Sequence, residues 1–283
     1  MPAVLPVPLL IVGFGNMGEA IVRGLLRASL LAPQDVCIAE PDAAKLQQAQ
    51  SLGITSTFTT AVAALTHINQ THAAHGTLLL AVKPQYLALA LAGATPLIGP
   101  RLVISILAGT PVHTLQSLAG PQARFVRSMP NLPAAIGQGA TAIATGPAAA
   151  DLQVARAILG AIGPCIIEVP EAHLDPFTAL AGSGPAYLFH LAEHMLKTGV
   201  EMGLTPEQSS QATRQTLLGA AAMLAADSRS PGELRAAVTS KGGTTAAALA
   251  VFHSQQMGET IRTAMLAACA RGQDLGRGTG SAS

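Results

Sequence analysis

Tryptophan is absent from this chain, and aromatic residues make up only 3% of it. The core of a 283-residue protein must then be built from Ala, Leu, Ile and Val, in a chain long enough for two domains with separate cores. Charge is equally sparse. Charged residues are 11% of the chain and the net charge is +1, which leaves no basic footprint for a nucleic-acid partner. Cysteine occurs only at Cys37, Cys165 and Cys269, too few and too scattered for a disulfide framework, so a reducing, cytoplasmic setting is expected. No apolar run reaches bilayer-spanning length without an interrupting Pro, Gly or charge, and no membrane association is expected. The apolar segment from Met1 to Leu10 contains prolines and no basic stretch, unlike a signal peptide.

Glycine and short apolar runs are plentiful. The run from Pro8 to Val12 leads directly into Gly13-Phe14-Gly15-Asn16-Met17-Gly18, followed by an apolar pattern of helical spacing from Glu19 to Leu31. A strand that ends in G-x-G-x-x-G and opens a helix is built to hold a dinucleotide. The first glycine makes the tight turn, the second admits backbone close to a pyrophosphate, and the third lets helix and strand pack closely. The diphosphate then meets unpaired N–H groups and the positive end of the helix dipole. A second apolar run, Val36 to Ala39, ends in Glu40, about 20 residues further on, where such folds place the acid that hydrogen-bonds the adenosine ribose.

Further runs read as strands at Leu78 to Val82, Leu102 to Leu107, Ala140 to Ala144 and Cys165 to Val169, alternating with helical stretches. That alternation predicts a parallel sheet covered by helices. Thr66 to Gly76, with three histidines, reads as a polar loop. After Pro170 strand signals stop. Thr205-Pro206-Glu207-Gln208 combines an N-cap, a first-turn proline and a capping-box Gln, launching a helix to about Ala226, and another pattern runs from Thr245 to Ala270 with a kink expected near Gly258. The expected fold is α/β: an N-terminal Rossmann-type dinucleotide-binding domain (1–170), an all-α substrate and dimerisation domain (171–271), and a disordered Gly/Ser-rich tail (272–283). The helical half has more apolar surface than one small domain hides, which predicts a homodimer.

Two glycine-bearing segments in the second half are candidate substrate elements, Thr178 to Pro185 and Val238 to Thr245. In the latter, consecutive N–H groups converge where a helix starts, with hydroxyls from Ser240, Thr244 and Thr245 around them, an arrangement suited to a carboxylate.

Six segments in order resemble the pyrroline-5-carboxylate reductases, the enzymes that complete proline biosynthesis. They are the glycine turn at 13–18, Ala81-Val82-Lys83-Pro84-Gln85, Ser105 to Gly109, Met129-Pro130-Asn131-Leu132-Pro133, Gly182-Ser183-Gly184-Pro185-Ala186-Tyr187, and Pro231 to Leu249 with Ser240-Lys241-Gly242-Gly243-Thr244-Thr245 at its centre. The resemblance implies hydride transfer from NADPH or NADH to the C=N carbon of a cyclic imino acid. It places the cofactor against Val12, Gly13, Phe14, Gly15, Asn16, Met17, Gly18, Glu40, Ala81, Val82, Lys83, Pro84, Ala108, Gly109 and Asn131. It gives substrate positioning to Ser240, Thr244, Thr245 and Thr178, assigns no metal, and implies a homodimer or a higher ring of dimers.

The chain departs from the family pattern at Lys241, where proline is usual; at Ala236-Ala237, where a polar pair is usual; at Thr60, where an asparagine often contacts the cofactor; and at Glu40, which would repel a 2′-phosphate and tilt the enzyme toward NADH. Three other readings compete with this one. His190-Leu191-Ala192-Glu193-His194 matches the H-x-x-E-H zinc pattern but has no third ligand. A β-hydroxyacid dehydrogenase would need a helix lysine earlier than Lys197. A non-catalytic sensor of nicotinamide or a proline-like ligand would use the same nest.

Overall fold

The computed structural model describes residues 5–72 and 75–277, which fall into two compact units, 1–183 with 268–283 and 184–267. In the first, eight strands form one sheet in the order β3-β2-β1-β4-β5-β6-β7-β8. These are β1 (Leu9–Val12), β2 (Val36–Ala39), β3 (Ser56–Phe58), β4 (Thr77–Leu80), β5 (Leu102–Ser105), β6 (Arg124–Met129), β7 (Ala140–Ala144) and β8 (Cys165–Val169). The first six follow the dinucleotide-binding order, which reverses at β1/β4. The helices of this unit are α1 (Asn16–Arg27), α2 (Ala43–Ser51), α3 (Ala61–His72), the single turns α4 (Leu87–Ala90) and α5 (Thr95–Ile98), α6 (Val112–Ala119), α7 (Ala149–Gly160) and the single turn α8 (Leu174–Phe177).

β1, β2, β4 and β5 are buried along their whole length, as a sheet covered on both faces demands. One apolar cluster includes Leu9, Ile11, Ile21, Leu25 and Ile38 on the α1 side; another includes Leu10, Val12, Leu65, Leu78 and Leu80 on the α3 side. Cys37 lies in the second cluster, where burial pushes its thiol up to about 12, so it acts as a small hydrophobe.

Several expectations need correction. The sheet is not wholly parallel, because β6 and β7 pair antiparallel. Two strands, β3 and β6, had no apolar run to announce them. The histidine-bearing stretch is helical through His72, since Ala61, Ala64, Leu65 and Ile68 fall on one buried face; Ala73 and Ala74 lie outside the described residues. The last strand ends at Val169, but α8 and the turn after it stay with the first unit because Leu174 and Phe177 pack on Ala142 and Ala144.

The second unit contains α9 (Gly184–Glu201), α10 (Pro206–Ala226), α11 (Pro231–Ala237), α12 (Thr244–Ser254) and the start of α13 (Met257–Gly276). Thr205 and Gln208 form the expected capping box, and Ser230 with Glu233 forms another. The kink expected near Gly258 is a full break at Gln255–Gln256, with Gln256 in the left-handed region at φ 52°. Five residues of the expected disordered tail, 272–276, belong to α13, while 278–283 lie outside the described residues. Ser209 Oγ donates to Leu196 O at 2.7 Å and binds α10 to α9 where Gly199 leaves room.

No apolar side chain between residues 184 and 267 is fully buried; only Gly199, Ser209 and Thr213 are. Leu188, Phe189, Leu218, Val251, Phe252 and Ile261 are all exposed. A unit of five helices without a buried apolar core needs another apolar surface to cover it.

Candidate active site

The glycine turn takes the form its spacing implies. Gly13 has φ 96°, and its N–H donates to Ala39 O at 2.9 Å, tying the turn to β2. Gly18 is packed so closely that a Cβ there would overlap the Gly13 carbonyl oxygen. Gly15 differs: no atom lies within 4 Å of where its Cβ would stand, so this glycine clears space that the protein itself leaves open. Gly15 is also the N-cap of α1 and supplies no side-chain hydrogen bond, so N–H groups of the first turn are left for an anion. Asn16 is exposed and Met17 half-buried at this terminus. These features fit the diphosphate of a dinucleotide.

Glu40 stands at the end of β2, 6% exposed. Its Oε2 accepts from Phe14 N–H at 2.7 Å, its Oε1 accepts from Asp42 N–H at 3.2 Å, and Lys45 Nζ lies 3.9 Å away. The carboxylate thus braces the glycine turn. Phe14 is a core residue, 1% exposed, and its N–H donates to Glu40.

Ala81, Val82, Lys83 and Pro84 follow β4, with Ala81 N–H on Val12 O at 2.8 Å, beside the mouth of the glycine turn. Ala108 and Gly109 form the turn after β5, where Gly109 has φ 59°. Thr60 Oγ1 accepts from Ala63 N–H at 3.2 Å and caps α3.

Asn131 is 8% exposed and works as a bracket. Its Nδ2 donates to Ala181 O at 3.0 Å and its Oδ1 accepts from Ala140 N–H at 2.9 Å. The segment it holds, Thr178–Gly182, is a π-type turn closed by Ser183 N–H on Thr178 O at 2.8 Å. Such turns re-aim side chains at the cost of regular helix bonding, and are frequent at functional sites. Within it, Thr178 Oγ1 donates to Leu174 O at 2.7 Å. With its proton committed, the hydroxyl oxygen can act toward a ligand only as an acceptor. The sequence could not announce this bracket, because its partners lie 9 and 50 residues away.

In the second unit Ser240, Thr244 and Thr245 are brought together at the start of α12. Gly242 has φ 72°, Gly243 N–H donates to Ser240 O at 3.1 Å, and Gly243 caps the helix without a side-chain hydrogen bond. The convergence of unpaired N–H groups with hydroxyls suits a carboxylate. Lys241 is exposed, and Ala236 and Ala237 close the short helix α11.

The H-x-x-E-H segment lies on α9, where the His190 and His194 rings stack edge to face at 4.5 Å. Lys197 reaches Glu193 at 2.6 Å, and this hydrogen bond holds the Glu193 carboxyl below its usual range. Among the described residues no group of three His, Cys, Asp or Glu side chains could hold a metal. Among them, too, no helix is long and apolar enough to cross a membrane.

A family model described as pyrroline-5-carboxylate reductase dimerisation matches residues 171–275, and one described as NADP oxidoreductase, coenzyme F420-dependent, matches residues 8–109. A pyrroline-5-carboxylate reductase of Synechocystis is 36% identical over 270 residues, covering 94% of this chain and 97% of the relative. One from Glycine max is 34% identical over 268 residues, covering 93% and 94%. Among solved structures, a pyrroline carboxylate reductase of Plasmodium falciparum with NADP bound superimposes with a TM-score of 0.82 at 25% identity, covering 95% of this chain and 98% of that one. A pyrroline-5-carboxylate reductase of Coxiella burnetii gives 0.82 at 30% identity with the same coverage. With a family model over residues 171–275 and relatives of 36% and 34% identity over nearly the whole chain, this chain belongs to the pyrroline-5-carboxylate reductase family.

Proposed function

We propose that this chain reduces 1-pyrroline-5-carboxylate to L-proline. The observation that carries the reading is the pair of glycine-shaped, uncapped helix N-termini, at α1 and at α12: one fits a diphosphate and the other a carboxylate. The nicotinamide, when bound, supplies the hydride. Ser240 and the Thr244 and Thr245 N–H groups grip the substrate carboxylate, while the Thr178 oxygen accepts a hydrogen bond from the ring nitrogen. An acceptor is what a protonated imine needs there. The iminium is already electrophilic, so the protein's contribution is to hold two reactants in register rather than to donate a proton. A homodimer in a reducing, cytoplasmic setting goes with this reading, the latter because the three cysteines are few and scattered. A larger ring of dimers is a further expectation, to be read from the mass of the assembly in solution. The direct test is oxidation of NADH or NADPH by added pyrroline-5-carboxylate. A folded dimer that binds the cofactor and oxidises none of it would overturn the proposal.

Cofactor choice rests on Glu40. A 2′-phosphate at the ribose would face its buried carboxylate, and like charges at close range disfavour one another by about 1–2 kcal/mol at partly screened sites. Glu40→Gln keeps an acceptor for Phe14 N–H while removing the charge. We expect the ratio of kcat/KM for NADH over NADPH to fall about tenfold in this variant, since 1.4 kcal/mol corresponds to a factor of ten. An unchanged ratio in steady-state kinetics would mean that Glu40 braces the turn without selecting the cofactor.

A further inference from the structure

The turn at Ala108-Gly109 is held from two sides. On one, Glu171 Oε1 accepts from Val112 N–H at 3.0 Å and from Arg127 Nη1 at 2.9 Å, with Arg127 buried, and fixes the backbone just beyond the turn. On the other lies the last turn of α13, which belongs to the first unit from Ala268 onward. Gly272, Leu275 and Gly276 share one helix face by their i, i+3, i+4 spacing. A Cβ at Gly109 would come 2.7 Å from Leu275 Cβ and 2.9 Å from Gly272 O; one at Gly276 would come 3.3 Å from Gly109 O; one at Gly272 would come 3.2 Å from Asp175 Oδ1. Gly272 is buried, in a segment whose composition reads as a tail. A helix-interior glycine disfavours the helix it sits in, so Gly272 calls for a packing reason, which the approach of Asp175 supplies; Gly276, the last residue of α13, is the one whose Cβ would meet the Gly109 turn.

We propose that the end of α13 is a positioning element for the cofactor. By packing against the Gly109 turn it fixes the backbone that the nicotinamide end of the dinucleotide meets, so that a helix beginning in the dimerisation unit sets cofactor affinity. This rests on the reading of Ala108-Gly109 as a cofactor contact. Gly272→Val and Gly276→Val add bulk on the packed face. Each is expected to raise the KM for reduced cofactor five- to twentyfold, while kcat at saturating cofactor and KM for the imino acid stay within twofold and light scattering still shows the parent assembly. Leu275→Ala, which removes contact without adding bulk, shifts the same constant two- to threefold and serves if a valine variant does not fold. Gly276→Ala separates positioning from stability: at the last residue of the helix alanine changes helix stability little, so a purely structural role predicts the parent's melting temperature and cofactor KM, whereas the clamp predicts a higher KM. Ala108→Asp reports on the turn itself. If it weakens cofactor binding while the α13 variants leave KM within twofold of the parent, the clamp is overturned and the turn's assignment stands. If Ala108→Asp has no effect either, the assignment of the turn fails and the clamp with it.

Discussion

Alanine at position 18 is expected to lower cofactor affinity at least a hundredfold, read by titrating the protein with NADH and following nicotinamide fluorescence. The added methyl would overlap the Gly13 carbonyl oxygen and stand 3.5 Å from Ala81 Cβ. The carbonyl has little freedom to swing aside. Gly13 N–H is bonded to Ala39 O, and the space beside Gly13 is filled by Ala81 and Val82, whose atoms lie 2.8–2.9 Å from where a Cβ would be. The remaining relief is for α1 to move off β1. That helix carries Ile21, Val22 and Leu25, all fully buried, so a displacement opens the core and carries the first-turn N–H groups away from the diphosphate. Overpacking of this kind costs about 1–3 kcal/mol in stability, and the melting temperature should fall with the affinity. Gly15→Ala is the informative contrast. Its φ of −81° suits any residue and nothing crowds its Cβ, so the fold should melt as the parent does while cofactor binding weakens about tenfold, near 1.4 kcal/mol. Equal cofactor affinity in Gly15→Ala would mean the space it clears is not for a ligand.

These glycines were legible in the sequence because their reason is local: strand, turn and helix follow one another without a gap. The capping box at Thr205 and Gln208 was legible for the same reason. β6 was not. It carries Arg127 and Ser128, buried yet satisfied by Glu171 and by Ser105 O, and a strand whose polar groups find distant partners shows no apolar run to read. The second half of α3 reads as a loop because Thr66, His67, Asn69, Gln70, Thr71 and His72 make it polar, although Ala61, Ala64, Leu65 and Ile68 give the helix a buried face. In the site, the sequence indicated which backbone would cradle a ligand but not what would hold that backbone in place. Glu40 was expected at a ribose, and its bond to Phe14 N–H across 26 residues came only with the fold. The Asn131 bracket and the packing of Gly272 against Asp175 within the first unit are tertiary in the same way, and the second is why the composition reads as a tail where a helix runs.

The substrate loop yields the second large effect. Gly243 has φ −79° and ψ 174°, extended backbone that any residue adopts, so a side chain there introduces no backbone strain. Its Cβ would, however, fall on Ser240 Oγ, which can yield by rotating about its own χ1. Gly243→Val therefore evicts the Ser240 hydroxyl from the mouth of the nest while leaving Gly242, with its required positive φ, in place. A hydrogen bond to a charged group contributes about 1.5–3 kcal/mol, so kcat/KM for pyrroline-5-carboxylate should fall by a factor of about ten to a hundred, with cofactor affinity unchanged. A double-mutant cycle locates the cause. If the valine acts through Ser240, then Ser240→Ala alone gives a comparable loss, and adding Gly243→Val to it costs little more. Full additivity would show that Gly243 matters for helix entry rather than for the hydroxyl. Loss of cofactor affinity in Gly243→Val would contradict the division of labour between the two helix N-termini on which the proposed reduction depends.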